Sequence, residues 1–84
     1  MPELKVWWCP QVPMKAFEVS VASVEEGRKI CDILANYDLF QFENRIKPDY
    51  TNAGGVSYKD RDGEWYDVPD AEDEWLDILK DFTT

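Results

Sequence analysis

Histidine is absent from this sequence. That removes the commonest general base near neutral pH and the usual nitrogen ligand of zinc. Cysteine is scarce: Cys9 and Cys31 are the only two, too few for an all-thiolate zinc site. A reducing compartment would keep them unpaired, so they read as two small buried thiols. No apolar run approaches the roughly 20 residues that a membrane helix needs. Met1-Pro2-Glu3-Leu4-Lys5 leads straight into a strand-like run rather than a secretory leader. These absences lead us to expect a cytoplasmic protein with no membrane partner, no metal and no cofactor. Length is short as well. Its 84 residues make one domain, 1–84, and a chain of that size buries only about 60% of the surface exposed on unfolding. Such a core must be aromatic-rich, which the 4 Trp, 4 Tyr and 4 Phe allow, or the protomer must associate, a homo-oligomer being one way.

What the sequence has in excess is negative charge, and it is unevenly placed. Residues 1–59 are nearly neutral, with eight acids and seven bases, whereas 60–84 carry ten acids against Arg61 and Lys80. An acidic C-terminal hairpin and helix from about 60 to 84 would repel phosphate, so direct binding to nucleic acid is not expected. The block suits a basic protein surface, such as another protein's nucleic-acid groove. The alternative is a solvated face that only maintains solubility.

Lys5-Val6-Trp7-Trp8-Cys9 is β-branched and aromatic and ends at Pro10, as a strand near an edge does. Phe17, Val19 and Val21 alternate with Glu18 and Ser20, which predicts a second strand with one wet face. Ser23-Val24-Glu25-Glu26 fits a capping box, and Ile30, Ile33, Leu34 and Tyr37 follow at helical spacing as the expected buried stripe. Gly27 inside that helix marks close packing on the sheet. Leu39-Phe40-Gln41-Phe42-Glu43-Asn44-Arg45-Ile46 alternates in twos and reads as a third strand. Val56-Ser57-Tyr58 and Glu64-Trp65-Tyr66-Asp67-Val68 flank the hairpin signal Asp62-Gly63. Asp70 is placed to cap a last helix with Glu72, Asp73 and Glu74 in its first turn and Trp75, Ile78, Leu79 and Phe82 along its apolar stripe. The expected fold is α+β: ββαβββα, a single antiparallel sheet of about four to five strands with two helices on one side.

Trp7 and Trp8 are neighbours, so a strand sends them to opposite faces and one of them is either covered by the last helix or open as a contact anchor. Asp60-Arg61-Asp62-Gly63 lacks the glycine at position 6 and glutamate at 12 of a calcium loop. The serines have no histidine to activate them, so no catalytic residues are expected. Asn52-Ala53-Gly54-Gly55 could cradle an anion but lacks the Lys-Ser/Thr ending of a phosphate loop. Arg45, Lys47, Tyr50, Asn52 and Gly54 are nonetheless a candidate small-ligand set.

The run from Lys5-Val6-Trp7-Trp8-Cys9-Pro10-Gln11-Val12-Pro13 to Val19, the stretch from Tyr37-Asp38-Leu39-Phe40-Gln41-Phe42 to Tyr50, and Asn52-Ala53-Gly54-Gly55 together resemble a group of small acidic phage and prophage proteins. Members are known as superinfection-exclusion or hypothetical proteins, and the similarity runs from about Lys5 to Trp65. The resemblance implies an accessory role in an infected or lysogenic bacterium, either blocking a host defence or excluding a competing phage, and it carries no catalytic residues. With the charge, it leads us to expect a non-enzymatic, stoichiometric inhibitor whose Asp60, Asp62, Glu64, Asp67, Glu72, Asp73, Glu74 and Asp77 occupy a basic surface on a bacterial host protein, in the manner of an anti-CRISPR DNA mimic. The alternatives are an oligomeric sponge that sequesters a nucleotide signal at the small-ligand set, a superinfection-exclusion factor, and a structural or assembly factor.

Overall fold

The structure, a computed structural model, describes residues 2–48 and 51–82. Its elements are β1 (Leu4–Cys9), β2 (Phe17–Val21), α1 (Val24–Glu43), β3 (Ala53–Lys59), β4 (Trp65–Asp67) and α2 (Glu72–Lys80). The four strands form one antiparallel sheet in the order β2-β1-β3-β4, making the domain a small α+β unit.

One expected strand is a helix. Leu39–Ile46 does not start a new element; α1 continues through Glu43. The period of 3.6 is carried there by polar residues. Leu34, Asp38 and Gln41 stand at i, i+4 and i+7 on the inward face, continuing the line of Gly27 and Cys31, so the apolar alternation of Leu39, Phe40 and Phe42 describes the two flanks of a helix. The same geometry corrects the predicted buried stripe, because Ile33 and Tyr37 lie on an exposed flank while Val24 and Gly27 are buried. The start of α1 follows the sequence signal, with the Ser23 hydroxyl accepting from the Glu26 N–H at 3.0 Å. Its end is closed by Arg45 at φ 60, with the Ile46 N–H donating to the Gln41 carbonyl at 2.8 Å.

Both helices lie on one face of the sheet, and the core between them joins Leu4, Val6, Val24, Val56, Tyr58, Val68 and Trp75. Trp75 packs its ring 5.2 Å from that of Tyr58, with Phe82 at 6.5 Å, so the α2 stripe stays within the protomer. Phe17 faces the same way as Val19 and Val21, yet is exposed because it sits at the end of an edge strand.

The tryptophan pair divides as the strand demands. Trp8 is buried on the helix side, and Trp7 is half-buried on the open face, away from α2. Each ring lies over a glycine of β3, in the register Trp8↔Gly54 and Trp7↔Gly55. A Cβ on Gly54 would stand 2.1 Å from the Trp8 ring, and one on Gly55 would stand 3.2 Å from Trp7 Nε1. Those glycines serve close approach, which is why the pair reads poorly as an anion loop. Gly27 is tight as well, with Val56 Cγ2 at 2.9 Å from its missing Cβ.

Candidate partner-binding surface

The acidic residues are presented by the β3–β4 hairpin and by α2. In the hairpin the Asp60 N–H donates to the Glu64 carbonyl at 2.8 Å, the Gly63 N–H donates to the Asp60 carbonyl at 3.0 Å, and Gly63 takes φ 86. Asp62 is locally bonded: its carboxylate accepts from the Glu64 N–H at 2.9 Å and from the Tyr66 hydroxyl at 2.8 Å. These two donors, the Glu64 amide foremost, hold the Asp62 carboxyl below the ordinary range, and the same bond raises the Tyr66 phenol. Asp62 therefore stays charged, with Asp60 and Glu64 beside it.

In α2, Glu72, Asp73 and Glu74 fill the first turn and are exposed, the favourable sign for its positive end. Asp70 does not cap it. The N-cap is Ala71, without a side-chain bond, so the capping function falls to the charge of that turn. Asp77 meets Lys80 at 3.1 Å on an exposed surface, a pair of little energetic weight. The Arg61 guanidinium donates to the Asp81 carbonyl at 2.9 Å and so ties the hairpin tip to the end of α2. Tyr58 reports their joint field: burial first, then Asp60, Asp62 and Asp81, push its phenol above the ordinary value. Asp67 differs from the others. It lies on the open face of the sheet, accepting from Trp7 Nε1 at 3.2 Å and from the Ser57 hydroxyl at 3.1 Å.

The small-ligand set is arranged otherwise. Lys47 and Asn52 turn inward to Asp38, which is only 3% exposed. The Asp38 carboxylate accepts from Trp8 Nε1 at 2.9 Å and from Asn52 Nδ2 at 3.1 Å, with Lys47 Nζ at 3.4 Å. Lys47 also donates to the Pro10 carbonyl. This buried node joins β1, α1 and the two loops beside them. Arg45 is exposed at the end of α1, Gly54 lies beneath Trp8, and Tyr50 is outside the described residues.

A cleft of about 580 Å³ opens where β4 stops short, between the Gly54–Val56 edge, the Asp67–Asp70 segment, and Arg28, Cys31 and Asp32 of α1. Arg28 donates to the Pro69 carbonyl at 3.1 Å. The remaining charges there are Asp32, Asp67 and Asp70, the wrong sign for a phosphate. Cys31 is half-buried, like Cys9, and burial followed by Asp32 pushes its thiol up, away from nucleophilic character. Among the described residues no group of three or more His, Cys, Asp or Glu is arranged to hold a metal ion, and no helix is long and apolar enough to cross a membrane.

A small α+β domain with its negative charge gathered at one end matches a family of phage proteins. The profile of that family, described as superinfection exclusion gene product 17, matches residues 3–84, and the chain belongs to it. The match runs through the acidic end, beyond Trp65, so hairpin and α2 are part of the family's domain. A superinfection exclusion protein of Salmonella phage P22 is 52% identical over 77 residues, covering 89% of this chain and 75% of that protein. No solved structure matches.

Proposed function

We propose that this protein excludes superinfecting phage by stoichiometric occupation: its acidic end covers a basic surface of a bacterial host protein and keeps nucleic acid from it. The observation that supports this reading is the Arg61–Asp81 tie, which holds the hairpin carboxylates and α2 as one surface rather than a loose tail. Such a surface, once desolvated against lysine and arginine, gives specificity and fast, salt-sensitive association. Glu72, Asp73 and Glu74 crowd the first turn of α2 with Asp77 further along it, Asp60, Asp62 and Glu64 stand in the hairpin tied to its other end, and Asp67 contributes by bracing the sheet.

The test is neutralisation of the exposed acids. A variant with Glu72→Gln, Asp73→Asn, Glu74→Gln and Asp77→Asn is expected to remain folded, at a cost of about 1–2 kcal/mol at the start of α2, and to lose about 10²-fold or more in protection of a carrier cell against a second phage, since buried interfacial charges cost about 2–5 kcal/mol each when truncated. Full protection by this variant, at equal expression, would rule out the electrostatic mechanism. A ligand sponge finds no support in the geometry, since Lys47 and Asn52 are occupied by Asp38.

A further inference from the structure

We infer that the protein forms a two-fold dimer through β2, the two copies pairing edge to edge and packing their α1 flanks against each other. β2 is the terminal strand of the sheet, and among the described residues no strand lies beyond it. The bond from the Val68 N–H to the Val56 carbonyl turns the main-chain groups of Val56 away from β1. Strict alternation through the registers Val6↔Val56 and Val6↔Val19 then turns Glu18 and Ser20 outward from the sheet. That edge has none of the usual guards. It contains no proline, its one acid Glu18 is drawn to Lys5 at 2.8 Å, and Phe17, Val19 and Val21 line its helix side.

The flank of α1 above this edge is apolar and bare. Arg28, Cys31 and Asp32 face the cleft on the β3 side, so Ile33, Tyr37 and Phe40, spaced i, i+4 and i+7 and about half a turn away, stand over β2. They are 55%, 57% and 57% exposed, and Phe17 below them is 58% exposed. The chain is also extended for its size. Its radius of gyration is 14.6 Å and its long axis 51 Å, where a compact chain of this length has a radius of gyration of about 12 Å.

Charge selects a second copy as the occupant. The molecule carries −9, so two copies repel unless their acidic ends stay apart. β2 lies at the sheet edge opposite β4, from which the hairpin and α2 extend. Joined at β2, the two acidic ends are separated by the width of both sheets, well over the Debye length of about 8 Å at physiological salt. The strand is also self-complementary. An antiparallel pairing centred on Val19 sets Glu18 opposite Ser20 of the second copy, Phe17 opposite Val21, and no like charges against one another.

Sedimentation equilibrium of the full chain, from micromolar to hundreds of micromolar and at physiological and high salt, is expected to give twice the 9.8 kDa protomer mass at both salt levels. Two variants locate the interface. Tyr37→Glu with Phe40→Glu changes only exposed helix positions, and Ser20→Pro removes an outward N–H. Each is expected to weaken dimerisation at least about a hundredfold, and the double variant keeps the circular dichroism spectrum of the parent. A wild-type chain that stays monomeric throughout overturns the inference, as does a natively folded Tyr37→Glu/Phe40→Glu variant that dimerises like the parent. So does a monomer that floats with phosphatidylcholine vesicles through the same two side chains, since that assigns the flank to lipid. Should Ser20→Pro not fold, the double variant decides. The acidic surface is untouched by either change, so loss of dimerisation and loss of host binding are read separately.

Discussion

Asp38→Ala is expected to destabilise the domain by about 3–5 kcal/mol, the usual cost of removing one partner of a buried ion pair. Total stabilities are only about 5–15 kcal/mol, and each kcal/mol moves the melting temperature of a chain this small by about 4–8 °C. A thermal melt should therefore shift down by about 15 °C or more. The reason is local. Without the carboxylate, the Trp8 indole N–H and the Asn52 amide lose their acceptor and the Lys47 ammonium, left with the Pro10 carbonyl, loses its counter-charge at a site 3% exposed to solvent. Adding Lys47→Met to Asp38→Ala should recover part of the loss, because the stranded cation is the largest share of the penalty. A shift under about 4 °C would mean that the node is not closed in solution.

Gly54→Val carries the second large effect. Its first added carbon would lie 2.1 Å from the Trp8 ring, nearer than any non-bonded contact allows. Backbone on one side and α1 on the other leave Trp8 little room. Overpacking of this kind costs about 1–3 kcal/mol, and moving the indole also breaks its bond to Asp38, another 1–3 kcal/mol or so for a buried unsatisfied group. Urea unfolding should show a combined loss of about 3–5 kcal/mol. Gly55→Val is the control: its clash is with Trp7, at 3.2 Å on the open face, where the ring can swing into solvent at about 1 kcal/mol. Equal losses at the two glycines would refute the distinction. Gly54→Val combined with Asp38→Ala should lose less than the sum, since both act on one indole.

The four strands of the sheet, the start of α1, the apolar stripe of α2 and the hairpin were legible in the sequence because each rests on a local signal, whereas the expected cap of α2 at Asp70 is not made. The capping box at Ser23, the alternation of β2, the Asp62-Gly63 turn and the stripe from Trp75 to Phe82 all behave as their spacing says. The end of α1 was misread because its inward face is built from Asp38 and Gln41. Any search for apolar periodicity then follows the flanks instead. Lys47, Asn52 and Gly54 looked like a ligand loop for a related reason. Their partners lie in other elements, Asn52 reaching Asp38 of α1 across 14 positions and Gly54 meeting Trp8 of β1 across the sheet, and no spacing rule connects them. The acidic surface, by contrast, was visible as composition alone, and the structure adds how it is held.

That distribution has an electrical consequence. With its surplus carboxylates on the hairpin and α2 and a nearly neutral remainder, each protomer is a strong electric dipole. A positively charged object exerts a torque on such a body before touching it, within a screening length or two. Rotational search is then shortened: a protomer near a cationic surface turns its hairpin and α2 towards it, and a dimer joined at β2 offers one such end on either side.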